Sequence, residues 1–236
     1  MNFLQLWFLQ PGLTFENVLV HILAVIVIVF LILPLHELAH AWVAYKLGDK
    51  TAKAFGRLTF SPLAHFDPIG AICILIFGFG WAKPVPVDMR FFKKPRRDMA
   101  LVALAGPISN LLAAIVGGLL VLAIVFSAIF MGVANNVTDG SWINCLVVFV
   151  NSYIRINIGL AVFNLIPLHP LDGSKVLEAL IPGRFLAKFY NNYRRITFII
   201  FLFLFFGFLS GPIDSLINIL YYSIMYITKL PFLAFL

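Results

Sequence analysis

The stretch "FLILPLHELAHAWVAYKLGD", Phe30 to Asp49, sets an apolar run of membrane grade against two histidines and a glutamate spaced His-Glu-x-x-His. Hydrocarbon is a poor place for such groups, so they must satisfy one another or hold something. On a helix, positions i and i+4 share a face, which lets His36 and His40 present imidazole nitrogens to one ion. Glu37 is next door, placed to take a proton from a water at that ion. Zinc suits this arrangement because it lowers the pKa of its water to about 7. Two helix histidines satisfied by backbone or water are the plain alternative. Three ionisable groups so close together at lipid depth weigh against it.

The rest of the chain supports the membrane setting. Of 236 residues, 62% are hydrophobic and 11% charged, under half of the roughly 25% charged residues of a soluble domain. Runs such as "VLVHILAVIVIVFLILPL" (Val18–Leu35) predict an all-α membrane protein whose helices each use about 20 apolar residues. About four to six spans are expected, with a short re-entrant or β-hairpin element near the cytoplasmic face. The net charge is +7, and 15 of the 17 Lys and Arg fall in Lys46–Arg57, Lys83–Arg97 and Lys175–Arg195. Basic clusters beside apolar spans mark the cytoplasmic side, so the charge is a topology signal and argues for no nucleic-acid partner. No Lys or Arg precedes Lys46. The first apolar run therefore lacks the basic region of a cleaved signal peptide and is expected to stay as a span entered from outside. Cys73 and Cys145 lie in apolar surroundings and imply no disulfide framework.

The chain is expected to form one membrane-embedded domain over 1–236, with a catalytic core at about 18–177 and a C-terminal helical segment or hairpin at 196–229. The first span covers roughly Val18–Tyr45. Pro68–Ala82 is too short and glycine-rich for a crossing and has basic clusters on both sides, so a re-entrant element fits better. Met99–Val133 and Trp142–Pro170 follow as long apolar stretches, joined by an outer polar turn at Ala134–Ser141. A catalytic zinc needs a third protein ligand and an open position. His21 is fifteen residues upstream of His36, about 22 Å along the helix, which excludes it. By topology Asp172 in "HPLDG" is the best third ligand, with His65, His169 and Glu178 behind it.

Taken together, "HELAH", "AGPISN" and "FNLIPLHPLDG" resemble the site-2 protease family of intramembrane zinc metalloproteases. "GRLTFSPLAHFDPIG" and "GWAKPVPV" resemble the compact subgroup without a PDZ domain, and the similarity runs from about Pro34 to Leu177. The resemblance implies one Zn2+ per chain, with His36, His40 and Asp172 as metal ligands and Glu37 as the catalytic glutamate. It also implies that Asn164 of "FNLIP" steadies the scissile carbonyl or the oxyanion, a task a side-chain amide can perform. His169 and Ser61 depart from the family pattern, which has proline or an apolar residue and asparagine at those places. His169 fits a loop role or a contact to a ligand.

Several features have structural readings. His65 and Asp67 in "PLAHFDPIG" read as a turn with an Asx-type hydrogen bond before Pro68, with a second metal site as the alternative. Gly106, Pro107 and Asn110 read as packing residues at the start of a span, with Asn110 able to bond across to the catalytic helices. Arg155 is the one charge within a predicted span, fit either to snorkel or to line a wet cavity. In "GWAKPVPV" the alternate prolines 84 and 86 leave the N–H groups of Lys83, Val85 and Val87 along one edge, as in a strand open to β-addition.

The expected function is hydrolysis of a peptide bond in or next to a transmembrane segment of a membrane-protein substrate. The setting is the lipid bilayer of a bacterial or archaeal cell membrane, with the site towards the cytoplasmic face. The alternative is a membrane zinc-binding transporter or scaffold without proteolysis, though binding alone has no use for a general base at Glu37.

Overall fold

A computed structural model describes residues 15–77, 81–131, 142–181, 196–200, 203 and 210–233. The polar turn expected at Ala134–Ser141 lies outside the described residues. So does much of the C-terminal stretch between 182 and 209.

The chain opens with α1 (Phe15–Val27), passes through a π-helical turn (Ile28–Ile32) and continues without a break into α2 (Leu33–Lys46). The π turn has a local cause. Pro34 has no N–H for the carbonyl four residues back and its ring crowds that carbonyl. The helix widens just before it, and the Leu33 N–H bonds the carbonyl of Ile28, five residues back. Such turns concentrate at functional sites, and this one stands directly before the His-Glu pair.

Two short helices follow, α3 (Thr51–Ala54) and α4 (Pro62–His65), and then the ten-residue α5 (Pro68–Phe77). At 1.5 Å per residue α5 is about 15 Å long, half of what a crossing needs. Asp67 accepts from the backbone N–H groups of Ile69 and Gly70, both at 2.9 Å, in the turn expected before Pro68.

Residues 81–88 run extended, and no strand is present among the described residues. The edge-strand reading is corrected here. Lys83 N–H donates to the His65 carbonyl at 2.8 Å, and Val85 N–H donates to the Glu37 carboxylate at 2.9 Å. Asp88 N–H reaches the buried carboxylate of Asp49 at 2.8 Å. Two of the three donors that the alternate prolines leave in place, those of Lys83 and Val85, are thus spent inside the protein.

A 3-10 turn (Met89–Phe91) leads to α6 (Pro95–Phe130). The helix start is well specified, with Pro95 in the first turn and the buried Asp98 accepting from the Lys94 N–H at 2.9 Å. α7 (Trp142–Leu165), α8 (Asp172–Leu180) and α9 (Ser210–Leu233) complete the described elements.

Among the described residues, three helices are long and apolar enough to cross a membrane: Ile22–Lys46, Pro95–Phe130 and Trp142–Leu165. The molecule is an all-α membrane protein. α6 is its spine, packed against α2, α7, α8 and α9. Val121, Ile154, Ile158, Val162 and Ile224 form the largest buried cluster, between α6, α7 and α9. Leu112, Val116, Phe126 and Phe130 of α6 stay exposed, as suits a surface that meets lipid.

Candidate metal centre

The end of the bundle where α2 finishes and α6 begins also holds the link between α7 and α8. There the Nε2 atoms of His36 and His40 stand 3.0 Å apart. An Asp172 carboxylate oxygen lies 3.3 Å from the first and 3.2 Å from the second. Both imidazoles are buried, and Asp172 is partly so. Among the described residues this is the one cluster of three or more His, Cys, Asp or Glu able to hold a metal ion, with its ligand atoms all within 4.8 Å of one another. Neither His169 nor Glu178 belongs to it.

These residues fit zinc. Bonds of about 2.0–2.1 Å at tetrahedral angles put neighbouring ligand atoms roughly 3.3–3.4 Å apart, close to all three separations found. His40 Nδ1–H donates to the Val102 carbonyl at 2.7 Å, which leaves Nε2 with its lone pair on the cluster side. Asp172 supplies the third ligand atom, a carboxylate oxygen that brings negative charge to the cluster.

Local sequence explains how the three groups meet. α8 begins at Asp172, and its next residue, Gly173, is pressed against the end of α7. A Cβ there would lie 2.3 Å from the Leu165 carbonyl oxygen and 2.5 Å from that of Ile166. Ser174 closes the corner, its hydroxyl donating to the Leu171 carbonyl at 2.7 Å. On α6 the close approach is made by Gly106, where a Cβ would stand 2.4 Å from His40 Nε2 and 2.5 Å from His36 Nε2. Pro107 follows within the helix, and four residues before Gly106 the Val102 carbonyl orients His40.

Glu37 is half-buried beside the pair, one carboxylate oxygen (Oε2) accepting from Val85 N–H. Asn164 is not brought into the cluster, since its amide donates to the Leu160 carbonyl of its own helix at 3.0 Å. His65 is buried away from the cluster with Nε2 3.1 Å from the Thr59 carbonyl. Asn110, one helical turn along α6 from Gly106, is buried with neither amide atom paired among the described residues. His36 Nδ1 is likewise unpaired.

Two contacts were not legible as site features. "AGPISN" signalled a close helix approach, but nothing in it said that the approach is to the two imidazoles. "KPVPV" signalled an ordered backbone edge, but its target, Glu37, is 48 residues away in sequence.

Comparison with known proteins agrees with this geometry. Residues 24–208 match Peptidase family M50. The chain is 47% identical over 172 residues to YwhC of Bacillus subtilis (strain 168), named as a candidate zinc metalloprotease, with 72% of this chain and 74% of that protein covered. It is 29% identical over 152 residues to Rip2 of Mycolicibacterium smegmatis, named in the same way, with 61% of this chain and 52% of that protein covered. No solved structure matches. A match over most of the chain, laid across both histidines and the aspartate, places the protein in Peptidase family M50, the site-2 protease family.

Proposed function

We propose that the protein hydrolyses a peptide bond in or next to a transmembrane segment of a membrane-protein substrate, with His36, His40 and Asp172 holding zinc and Glu37 moving the protons. Family membership makes it a zinc metalloprotease. The observation that carries the residue assignment is the convergence of two imidazole nitrogens and one carboxylate oxygen within 4.8 Å, with Glu37 adjacent.

Zinc, when bound, supplies a Lewis acid that polarises the scissile carbonyl and makes water nucleophilic near neutral pH. Glu37 takes the proton released as water adds to the carbonyl carbon, and then gives it to the leaving amine nitrogen. Val85 N–H fixes Oε2 of Glu37, which keeps the carboxylate aimed while Oε1 handles the proton. His40 is held in its ligating tautomer by the Val102 carbonyl. Asn164 donates to the carbonyl oxygen as negative charge develops, which requires its amide to leave the Leu160 carbonyl. The site faces the cytoplasmic side of the cell membrane of a bacterium or archaeon. Supporting this, the basic clusters at Lys46–Arg57, Lys83–Arg97 and Lys175 flank the elements that meet at the site.

The test is Glu37→Gln in proteoliposomes with a single-span substrate. Proteolysis should fall about 10²–10⁴-fold while zinc content stays at the wild-type value. Wild-type cleavage by the variant would remove Glu37 from the mechanism.

A further inference from the structure

Arg155 lies within the apolar helix α7, ten residues short of Leu165 and thirteen past Trp142. That is about 15 Å from the end of the helix nearest the metal cluster, or half of a hydrocarbon core of about 30 Å. The side chain is exposed on the outer surface, yet it is not loose. Nη1 donates to the Asn218 side-chain carbonyl of α9 at 2.9 Å, and the guanidinium carbon stands 4.2 Å from the centre of the Tyr221 ring. Tyr221 is itself fixed, its hydroxyl donating to Asn151 Oδ1 at 2.7 Å one helical turn before Arg155.

This brace uses one of the five N–H donors and one face of the guanidinium. Among the described residues no carboxylate stands at ion-pair distance from it. α7 carries no acidic residue. Asp172 faces the two histidines, Asp98 pairs with Arg97, and Glu37 receives Val85 N–H. A fixed cation at mid-depth with donors turned outward costs several kcal/mol unless something meets it. Lipid phosphates lie at the interface, beyond the reach of the side chain, and the brace to Tyr221 and Asn218 holds the guanidinium against snorkelling.

We propose that Arg155 is the docking point for a carboxylate carried near the middle of another protein's transmembrane helix. The planar fork of donors matches a carboxylate in bidentate fashion, and Asn151, Asn218 and Tyr221 hold the fork ready. The inference rests on α7 spanning the membrane and is independent of the proteolytic reading.

The test uses two labelled single-span peptides of Leu and Ala, one with Glu at its centre and one with Gln. Energy transfer to the labelled full-length chain is measured in phosphatidylcholine vesicles. The Glu37→Gln chain is used beside the wild type so that hydrolysis does not enter the signal. The Glu peptide should associate about tenfold more tightly than the Gln peptide. Arg155→Leu should abolish the difference at unchanged zinc content, and Arg155→Lys should keep part of it. Equal association of the two peptides with the wild type would overturn the proposal, as would a Glu preference that survives Arg155→Leu.

Discussion

At the scale of single residues, the metal cluster depends on an atom that is missing as much as on those present. Gly106 brings the backbone of α6 against both imidazoles, at separations where no Cβ fits. Neither histidine can yield by swinging away without losing its place in the cluster. Gly106→Ala should therefore weaken zinc binding about tenfold or more, in the range seen when groups that orient metal ligands are lost. Competition with a chromophoric chelator measures this directly, and unchanged affinity would show that the helices can part at no cost to the site. The candidate ligands were legible in the sequence because helical periodicity puts His36 and His40 on one face. Asp172 followed from topology and from the resemblance. The role of Gly106 was not legible, because a glycine records that something comes close but not what.

At the scale of elements, the extended segment 81–88 behaves as a strap across the catalytic helix. Its backbone donors are tied to His65, Glu37 and Asp49, so α2 and the loops around it are fastened by main-chain groups. The alternation of prolines was visible in "KPVPV" and marked Lys83 and Val85 as backbone donors, both of which the fold uses. The sequence could not say which way the free donors faced, and an outward edge was expected. The half-buried carboxylate of Glu37 and the buried one of Asp49 needed partners more than an edge needed exposure. Val85→Pro removes the one donor to Glu37. A hydrogen bond to a charged group is worth about 1.5–3 kcal/mol, so kcat should fall roughly 10–100-fold while zinc content is unchanged. Val85→Ala, which keeps the N–H, should be close to wild type. Equal kcat in Val85→Pro and wild type would show that Glu37 does not need the strap. The π turn before Pro34 was also beyond the sequence, since the carbonyl five residues back that took up the Leu33 N–H emerged only in the fold.

At the scale of the whole molecule, the three ligands come from α2 and from α8, two elements that meet through α6. The apolar runs foretold the membrane helices, and basic clusters foretold which ends would lie together. Neither foretold that α6 would be the spine. An ion bound by α2 and α8 ties distant parts of the chain, and anything bound to the folded state alone stabilises it, by about 2.7 kcal/mol at a hundredfold excess over the dissociation constant. Chelation should thus lower the unfolding temperature of the wild type in detergent, and added zinc should restore it. The same treatment should leave Asp172→Ala unmoved. A wild-type unfolding temperature indifferent to chelation would mean that the metal does not link the two helices. The central claim, that His36, His40 and Asp172 form one zinc site, is tested most directly by elemental analysis of purified wild type and Asp172→Ala. The account predicts about one zinc per chain in the wild type and little or none in the variant. Zinc fully retained by Asp172→Ala, or absent from the wild type after reconstitution, would contradict it.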